Sequence, residues 1–504
     1  MLLADVVATS ATVAATRSRK AKVAAIAALL ATAEPDELEV VTAYVGGALL
    51  QRRTGLGGRG LASPPSPAET PSLSVLEVHA AFDALAALEG PGSQATRSAA
   101  VASLFGRATD AEQAWLRGVV TGAVRQGALD ALVQEAVAAA AGVPLAVVRR
   151  AAMLAGSTVA VVGRAFTGGS AALAEVGLEV GRPVLPMLAS SAKTVAEAVA
   201  KAGGGTVAVD TKLDGIRIQV HRSGDEVRIA TRSLDDITAR LPEVVELALS
   251  LPAESFVLDG EALVLDDAGR PRPFQETASR TAQAAGVRVT PYFFDVLHLD
   301  GRDLLTAPGD ERLAVLEGLV PEAYRVPRVV TDDLDAAESF VAEVLAAGHE
   351  GVVVKKLAAP YDAGRRGAAW VKVKPVHTLD LVVLAVEWGS GRREGTLSNI
   401  HLGARDPDTG GFTMLGKTFK GMTDEMLAWQ TERFTELAVD RSTMRDHYVV
   451  PLHPVQVVEI AIDGLQRSTR YPGGLALRFA RVLRYRDDKT ADEADTIETV
   501  RALA

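Results

Sequence analysis

The chain has 504 residues and 48% of them are apolar, which is enough for about three domains with separate cores. It contains no cysteine, which excludes disulfide bonds, cysteine nucleophiles and Cys-rich zinc sites. The formal net charge is −10, but residues 470–489 hold six basic side chains against two acidic ones. Because local charge decides phosphate binding, the acidic total does not exclude a nucleic-acid partner.

No segment of the sequence indicates a membrane or secretory protein. The chain begins Met1-Leu2-Leu3-Ala4-Asp5, without basic residues before an apolar run, so we expect no secretory signal. The most apolar stretches, residues 136–148 and 151–162, are shorter than the ~20 residues that cross a bilayer. We therefore expect a cytoplasmic protein with no membrane partner.

Residues 1 to about 180 carry a helical pattern. Val23, Ile26 and Leu30 recur at the spacing of one apolar helix face. A glycine-rich break at residues 167–170 predicts a domain boundary shortly after it. We expect an all-α domain over residues 1–180.

After residue 180 the pattern changes to short strands with helices between them. Apolar and polar residues alternate in 207–210 and in 216–221, which is typical of half-buried strands. Further strands are predicted at 256–265, 290–299 and 351–356, and helices at 242–251, 311–319 and 335–347. This mixture predicts an α+β domain over residues 181–376.

Strand signals dominate from residue 377 onwards. The predicted strands are 381–387, 400–405, 412–419, 455–462 and 477–485, with one helix at 423–437. A strand-rich region of this size is typical of a small β-barrel, so we predict an OB-fold over residues 377–504. Within it, Gly411 to Thr418 matches the phosphate-loop pattern, but a turn precedes this segment and its residues alternate like a strand. We expect a hairpin strand there and no nucleotide site.

The first chemical signal is the octapeptide of residues 210–217, DTKLDGIR. Alternation along the strand puts Asp210 and Lys212 on one face, and Asp214-Gly215 is a turn signal. Lys212 is thus a candidate nucleophile at a strand end, with Arg217 close by. Taken alone, the segment is equally compatible with a surface lysine beside a hairpin.

Four later segments supply complementary chemistry. Asp259 and Glu261 share one strand face, and Glu350 opens an apolar strand that carries a lysine. An aromatic run includes Phe294, and Lys372 and Lys374 share the face of another strand. Each side chain alone would be an ordinary core or surface residue. Together they form the set that nucleotidyl transfer needs: a nucleophile, cations for phosphate, carboxylates for metal and ribose, and an aromatic ring for a base.

In their order, these segments resemble the motifs of the covalent nucleotidyltransferase superfamily, which comprises DNA ligases, RNA ligases and mRNA capping enzymes. The lysine motif matches Lys212-Leu213-Asp214-Gly215. The other motifs resemble Thr231-Arg232-Ser233, Asp259-Gly260-Glu261 and residues 292–295, 350–355, 370–374 and 484–489. Within the superfamily the chain is most similar to three-domain ATP-dependent DNA ligases of archaeal and bacterial type. That similarity extends to residues 50–55, 125–127 and 477–481.

The resemblance implies a role for each matching residue. Lys212 would attack the α-phosphorus of ATP, Asp210 would read the adenine and Phe294 would stack on it. Arg217 and Arg232 would hold the ribose or phosphate region. Further implied roles are ribose or metal contact for Glu261, Mg²⁺ binding for Glu350, phosphate neutralisation for Arg366, Lys372 and Lys374, and pyrophosphate orientation for Arg484, Arg486, Asp488 and Lys489.

The resemblance also implies the activity and partners. We expect a monomeric, nucleoid-associated enzyme that uses ATP and Mg²⁺ to seal nicks in duplex DNA during replication, repair or recombination. A sliding clamp is a candidate partner. An RNA ligase, another nucleotidyltransferase and a catalytically dead DNA-binding protein remain alternatives. The sequence departs from the family pattern at Asp210, where the family usually has Glu, and at Ala480, where it usually has Pro.

Overall fold

The computed structural model describes residues 1–51, 53–61, 63–90, 92–124, 126, 130–281, 283, 286–362, 366–390, 393–442 and 444–503, with the side chains of Arg59 and Arg366 left out. Arg52, Arg125 and Gly127, which carry part of the N-terminal resemblance, lie outside the described residues.

The N-terminal region is helical, as predicted. Its helices are α1 (Leu3–Ala15), α2 (Arg19–Ala31), α3 (Leu38–Val45), α4 (Val75–Ala86), α5 (Ser93–Gly106), α6 (Asp110–Val120), α7 (Asp130–Ala141), α8 (Leu145–Ala155) and α9 (Val159–Ala174). Ser74 and Glu77 form a capping box that starts α4, and Thr109 and Glu112 do the same for α6. Most of these helices bury one face, and α3 is buried along nearly its whole surface. This burial stabilises alanine-rich segments beyond their intrinsic helix propensity.

The break predicted at residues 167–170 is a kink inside α9 and does not end the helix. Gly169 has φ 56° and ψ −145°, outside the helical range, yet the helix continues to Ala174. A glycine accepts this backbone without the steric cost that a Cβ would bring. The glycine-rich segment therefore marks an irregularity in the helix, which extends beyond it to Ala174.

The middle region contains two five-stranded sheets. Its strands are β1 (Leu188–Ala192), β2 (Val207–Lys212), β3 (Ile216–Ser223), β4 (Glu226–Thr231), β5 (Ser255–Leu263), β6 (Thr290–Leu299), β7 (Arg302–Asp303), β8 (Arg328–Thr331), β9 (Gly351–Lys356) and β10 (Arg366–Val373). Its helices are α10 (Val195–Lys201), α11 (Pro242–Ser250), α12 (Phe274–Thr281), α13 (Gly309–Leu319) and α14 (Leu334–Ala346). The sheet orders are β1-β10-β9-β2-β8 and β4-β3-β5-β6-β7. The strands predicted at 290–299 and 351–356 are confirmed residue for residue.

The two sheets meet where β2 passes into β3 through the turn at Asp214-Gly215. Lys212, the last residue of β2, is the Cα partner of Gly351 at the start of β9. A Cβ on Gly215 would lie 2.4 Å from the Ala262 carbonyl oxygen, and one on Gly351 would lie 2.2 Å from the Val373 carbonyl oxygen. Both positions therefore require glycine, and they bring the end of β2 close to β5 and β10.

The C-terminal region is built on a six-stranded sheet. Its strands are β11 (His377–Trp388), β12 (Leu397–Asp406), β13 (Gly411–Thr418), β14 (Val449–Pro451), β15 (Val457–Ile462), β16 (Gly464–Arg467), β17 (Leu475–Arg478) and β18 (Arg481–Tyr485), with helices α15 (Asp424–Leu437) and α16 (Ile497–Arg501). The sheet order is β13-β12-β11-β15-β18, with β14 on β11, and β16 and β17 form a separate hairpin. The segment that imitates a phosphate loop is strand β13 paired with β12, which confirms the predicted hairpin strand.

One prediction for this region was wrong. Residues 477–485 are not a single strand, because the chain leaves the β16–β17 hairpin after Arg478 and joins the large sheet at Arg481. Phe479 lies between them with φ 53°, a left-handed backbone that ends strand geometry. The strand pairings among the described residues leave β13 and β18 at opposite edges of the large sheet, so they do not close a barrel.

Apolar cores support all three regions. The largest fully buried side chains include Tyr44, Phe82 and Phe105 in the helical region, Phe256 and Phe293 in the middle, and Phe434 in the C-terminal region. Over the residues that the structure describes, no helix is both long and apolar enough to cross a bilayer.

A buried ion pair fixes α13 to β6 and offers a test of the fold. The Arg312 guanidinium donates to both Asp295 carboxylate oxygens, at 2.8 and 3.1 Å, and the two side chains are 3% and 2% exposed. Arg312→Met would leave Asp295 as an unpaired buried charge, so we expect a loss of about 3–5 kcal/mol in the free energy of unfolding. Urea denaturation followed by circular dichroism measures this loss.

The matched control is Arg302→Met on the neighbouring strand. Arg302 is 61% exposed and pairs with Glu311, so its substitution should cost at most about 1 kcal/mol. Equal unfolding midpoints for the two variants would contradict the structural role given to Arg312.

Candidate active site

A cavity of about 780 Å³ opens between the two middle sheets and is bordered by the C-terminal region. The predicted site residues that line it are Asp210, Lys212, Arg217, Arg232, Glu261, Phe294, Glu350, Lys372 and Lys374. Side chains from β2, β3, β5, β6, β9 and β10 thus converge on one space. The sequence places them up to 164 residues apart (374 − 210), so this convergence is a property of the fold.

Lys212 lies at the centre of this arrangement. Its Nζ contacts the Glu350 carboxylate, and its side chain is 23% exposed. Burial lowers the pKa of Lys212, and the charges of Arg232 and Arg478 lower it further, while Glu261 and Asp214 oppose the shift. A larger fraction of this amine is therefore uncharged at neutral pH than for a lysine in water, as a nucleophile requires.

Glu350 holds two lysines at once. One carboxylate oxygen contacts Lys212 Nζ and the other contacts Lys374 Nζ. Lys374 also lies 3.8 Å from Asp463 of the C-terminal region. Burial and the nearby Lys212 charge lower the pKa of Lys374 to about 8. One carboxylate therefore holds two lysines whose pKa values are both lowered.

Glu261 contributes a second carboxyl group to the lining of the cavity. Burial raises the pKa of Glu261 to about 7, although the charges of Lys212 and Arg217 oppose this shift. Among the described residues, no hydrogen bond or ion pair to this carboxylate is found, which leaves its oxygens available to a cation. A divalent ion that bound there would favour the ionised form.

Two aromatic side chains also line the cavity. The Phe294 and Trp370 rings pack edge to face with centroids 5.9 Å apart. Lys355 Nζ lies 4.6 Å from the Phe294 centroid and 4.3 Å from the Trp370 centroid, and it pairs with Asp210 at 2.7 Å. Phe294, predicted as a base platform, is accordingly at the cavity surface beside the carboxylate predicted to read the base.

Arg217 lines the cavity, but its guanidinium already donates several hydrogen bonds to other protein groups. Its guanidinium makes two bonds to the buried Asp259 carboxylate, at 2.9 and 2.6 Å, and one to the Met187 carbonyl oxygen at 2.7 Å. Asp259 also accepts a hydrogen bond from Tyr361. The predicted contact of Arg217 with ribose or phosphate stays a prediction, and the structure adds a second role in joining β3 to β5.

The Arg366 side chain, predicted to neutralise phosphate, lies outside the described residues, although its backbone opens β10.

The last motif is not brought to the cavity. Arg484 pairs with Glu459, while Arg486 and Lys489 both bond to Asp380. Asp488 pairs with Arg486, which lowers the pKa of that carboxyl. These four residues therefore make ion pairs on the C-terminal region itself and are not among the residues that line the cavity, so their contact with pyrophosphate stays a prediction.

Other residues of the C-terminal region border the cavity instead: Lys420, Gly421, Asp463, Phe479 and Arg481. Arg478 bridges the regions through its Nη1, 2.7 Å from the Asp214 Oδ2 beside the nucleophile. These contacts could not be predicted from sequence, because no local pattern shows which strand of a sheet faces a neighbouring region. Arg328 could not be predicted either, because only the register of β8 with β2 places it opposite Asp210.

Comparisons with known proteins identify the family of the chain. Three family models match the chain: the DNA ligase N terminus over residues 58–138, the ATP dependent DNA ligase domain over residues 186–374 and the ATP dependent DNA ligase C terminal region over residues 393–489. A solved structure named Pmar-Lig_PreS3 is 17% identical with a TM-score of 0.62, and the match covers 95% of this chain and 99% of that one. At this identity the likeness supports the fold alone.

Two relatives are far more similar in sequence. A protein of Nocardioides sp. named Probable DNA ligase is 75% identical over 508 residues, which cover 100% of this chain and 99% of the relative. A protein of Kineococcus radiotolerans with the same name is 70% identical over 507 residues and is matched over its full length. With a lysine-centred cavity, three matching family models and relatives this similar from end to end, the chain belongs to the ATP-dependent DNA ligase family.

Proposed function

We propose that the protein seals nicks in duplex DNA by carrying AMP on Lys212. The observation that supports this most strongly is the position of the Lys212 amine, in a cavity that Glu261, Glu350, Lys372 and Lys374 also line. The activity would serve replication, repair or recombination. A sliding clamp, a nucleoid-associated cytoplasmic location and a monomeric state belong to the same proposal.

In the first step the uncharged Lys212 amine attacks the α-phosphorus of ATP. The Nζ–P bond forms, the bond from the α-phosphorus to the bridging oxygen breaks, and pyrophosphate leaves with that electron pair, while the amine proton passes to solvent. Lys372 and Lys374 neutralise phosphate charge as it shifts towards the leaving group. Asp210 and Phe294 hold the base, and Arg217 and Arg232 border the ribose and phosphate.

In the second step an oxygen of the DNA 5′-phosphate attacks the same phosphorus. The Nζ–P bond breaks, and the lysine nitrogen leaves with that electron pair and takes up a proton from solvent. In the third step the 3′-hydroxyl attacks the activated 5′-phosphate, which forms the phosphodiester bond and expels AMP. Glu261 and Glu350 fit Mg²⁺, because this hard cation prefers carboxylate and phosphate oxygens. When bound, Mg²⁺ would neutralise phosphate charge. The described residues contain no group of three or more His, Cys, Asp or Glu side chains placed to hold a metal ion. Phosphate oxygens and water would therefore complete the coordination of Mg²⁺.

Domain limits of 1–180, 181–376 and 377–504 are part of this proposal, as is an OB-fold for the last segment. The end of β10 at Val373 and the start of β11 at His377, which belong to different sheets, support the second limit. Arg484, Arg486, Asp488 and Lys489 would act on pyrophosphate in an arrangement in which the C-terminal region has turned to present them.

The covalent intermediate gives the most direct test. With ATP labelled at the α-phosphate and Mg²⁺, we expect a label on the protein that survives denaturation and is lost in Lys212→Ala, because the attacking amine is gone. Lys356→Ala, which removes an exposed lysine from the end of β9, is the matched control and should label like wild type.

Lys212→Ala should still join a nick whose 5′-phosphate already carries AMP, since the last step does not use the amine. An unlabelled wild-type protein would overturn the proposal. Faster sealing of nicked RNA than of nicked DNA would favour an RNA ligase.

Lys374 should give the labelling reaction a distinctive pH dependence. Since the pKa of Lys374 is about 8, its charge is present below that pH and lost above it, so the KM for ATP should rise as pH passes 8. Lys374→Arg keeps the charge throughout this range and should remove the rise. The measurement is the initial rate of labelling against ATP concentration from pH 6.5 to 9.5, and the same rise in both proteins would contradict the assignment.

DNA binding should depend mainly on phosphate contacts. We expect the affinity for a nicked duplex to fall steeply with salt, by about tenfold or more between 50 and 200 mM, and to vary little with sequence. Fluorescence anisotropy with two nicked duplexes of unrelated sequence measures both effects. Salt-independent binding or a strong preference for one sequence would be the contrary result.

A further inference from the structure

The Asp210 carboxylate is held by two cations from neighbouring strands. Arg328 is the Cα partner of Asp210 across β2 and β8, and its Nε and Nη2 donate to the two carboxylate oxygens. Lys355 Nζ approaches Oδ2 at 2.7 Å from the other side. Arg328 Nη2 and Lys355 Nζ each also donate to the Phe294 carbonyl oxygen at 3.2 Å.

These contacts occupy most of the hydrogen-bond acceptor positions of the Asp210 carboxylate. A carboxylate offers about four acceptor positions. Arg328 uses one on each oxygen and Lys355 uses a second on Oδ2, so one position remains, on Oδ1. Asp210 lines the cavity, whereas Arg328 is not among the residues that line it. The remaining acceptor position can therefore take a hydrogen bond from a group that enters the cavity beside Phe294.

The two cations also fix the charge of Asp210. Burial would raise the pKa of Asp210, but the charges of Lys355 and Arg328 overcome that effect and lower it. An ionised carboxylate accepts hydrogen bonds and donates none. It can therefore bond to the 6-amino group of adenine, but it repels the 6-oxo group of guanine or hypoxanthine.

We propose that Arg328 is a positioning residue for nucleotide selection: by holding both oxygens of Asp210, it leaves one acceptor aimed at the 6-amino group of the purine. This inference rests on the proposed function, because it assigns the base that enters the Lys212 cavity. It also gives a reason why the chain can use Asp where the family usually has Glu. The shorter side chain is fixed in place by a guanidinium from the adjacent strand.

Arg328 is the better residue to test because Lys355 also contacts both aromatic rings of the cavity. The variants are Arg328→Met, which removes the charge and both bonds, and Arg328→Lys, which keeps a charge but cannot make the two parallel bonds. The matched control is Arg325→Met, since Arg325 comes just before β8 and pairs with Glu317 at 3.8 Å.

The experiment measures kcat and KM for lysyl–nucleotide formation with ATP, inosine triphosphate, which has a 6-oxo group, and purine riboside triphosphate, which lacks any 6-substituent. Wild type should prefer ATP to both. In Arg328→Met we expect that preference to fall by about tenfold or more, mainly through a higher KM for ATP. Arg328→Lys should be intermediate, and Arg325→Met should match wild type.

An unchanged preference for ATP over inosine triphosphate in a folded Arg328→Met would overturn the inference, as would a wild type that does not discriminate. If thermal unfolding shows that Arg328→Met does not fold, Arg328→Lys decides by the same criterion. A wild-type protein that forms no lysyl–AMP would instead overturn the proposed function.

Discussion

Glu350 is the carboxylate on which the arrangement of the cavity depends. It holds the ammonium groups of Lys212 and Lys374, and it can do so because Lys212 and Gly351 are Cα partners across β2 and β9. Two lysines that share one carboxylate are brought closer together than their mutual repulsion would otherwise allow. Burial lowers the pKa of Lys374, and the charge of the nearby Lys212 lowers it further.

The position of the nucleophile follows from a connection between sheets. Residues 207–212 belong to one sheet and residues 216–223 to the other, so the turn between them lies where the sheets meet. A lysine at the end of β2 can therefore face a carboxylate on β5 and one just before β9 at once. Its neighbourhood is held by backbone pairing, while the C-terminal region contributes Asp463 and the bridge from Arg478 to Asp214.

Much of the middle region could be predicted from sequence because strand alternation is local. The face shared by Asp210 and Lys212 and the strand at 290–299 needed only local patterns, whereas the convergence of Glu261, Glu350 and Lys374 was expected from the family resemblance. The partners of those residues could not be predicted in the same way. Arg328 lies 118 residues after Asp210, and only the register of β2 with β8 brings the two together.

The C-terminal region shows a different limit. The motif at residues 484–489 was expected at the active site, but its charges are satisfied by Asp380 and Glu459 on the same region. A sequence motif gives the identity of its residues and not the orientation of the unit that carries them. The division of residues 477–485 at Phe479 was not predicted, because a single residue with positive φ does not interrupt the strand-like alternation of the sequence around it.

The requirement for glycine at positions 215 and 351 has a consequence for how the protein tolerates change. Neither residue offers a functional group, yet any side chain there would collide with a neighbouring carbonyl oxygen. Hydrophobicity, charge and size scales would rank alanine at these positions among the mildest of replacements. A deep mutational survey of the gene should nevertheless find these two glycines as intolerant of substitution as Lys212. The activity therefore depends on positions whose residues take no part in the reaction.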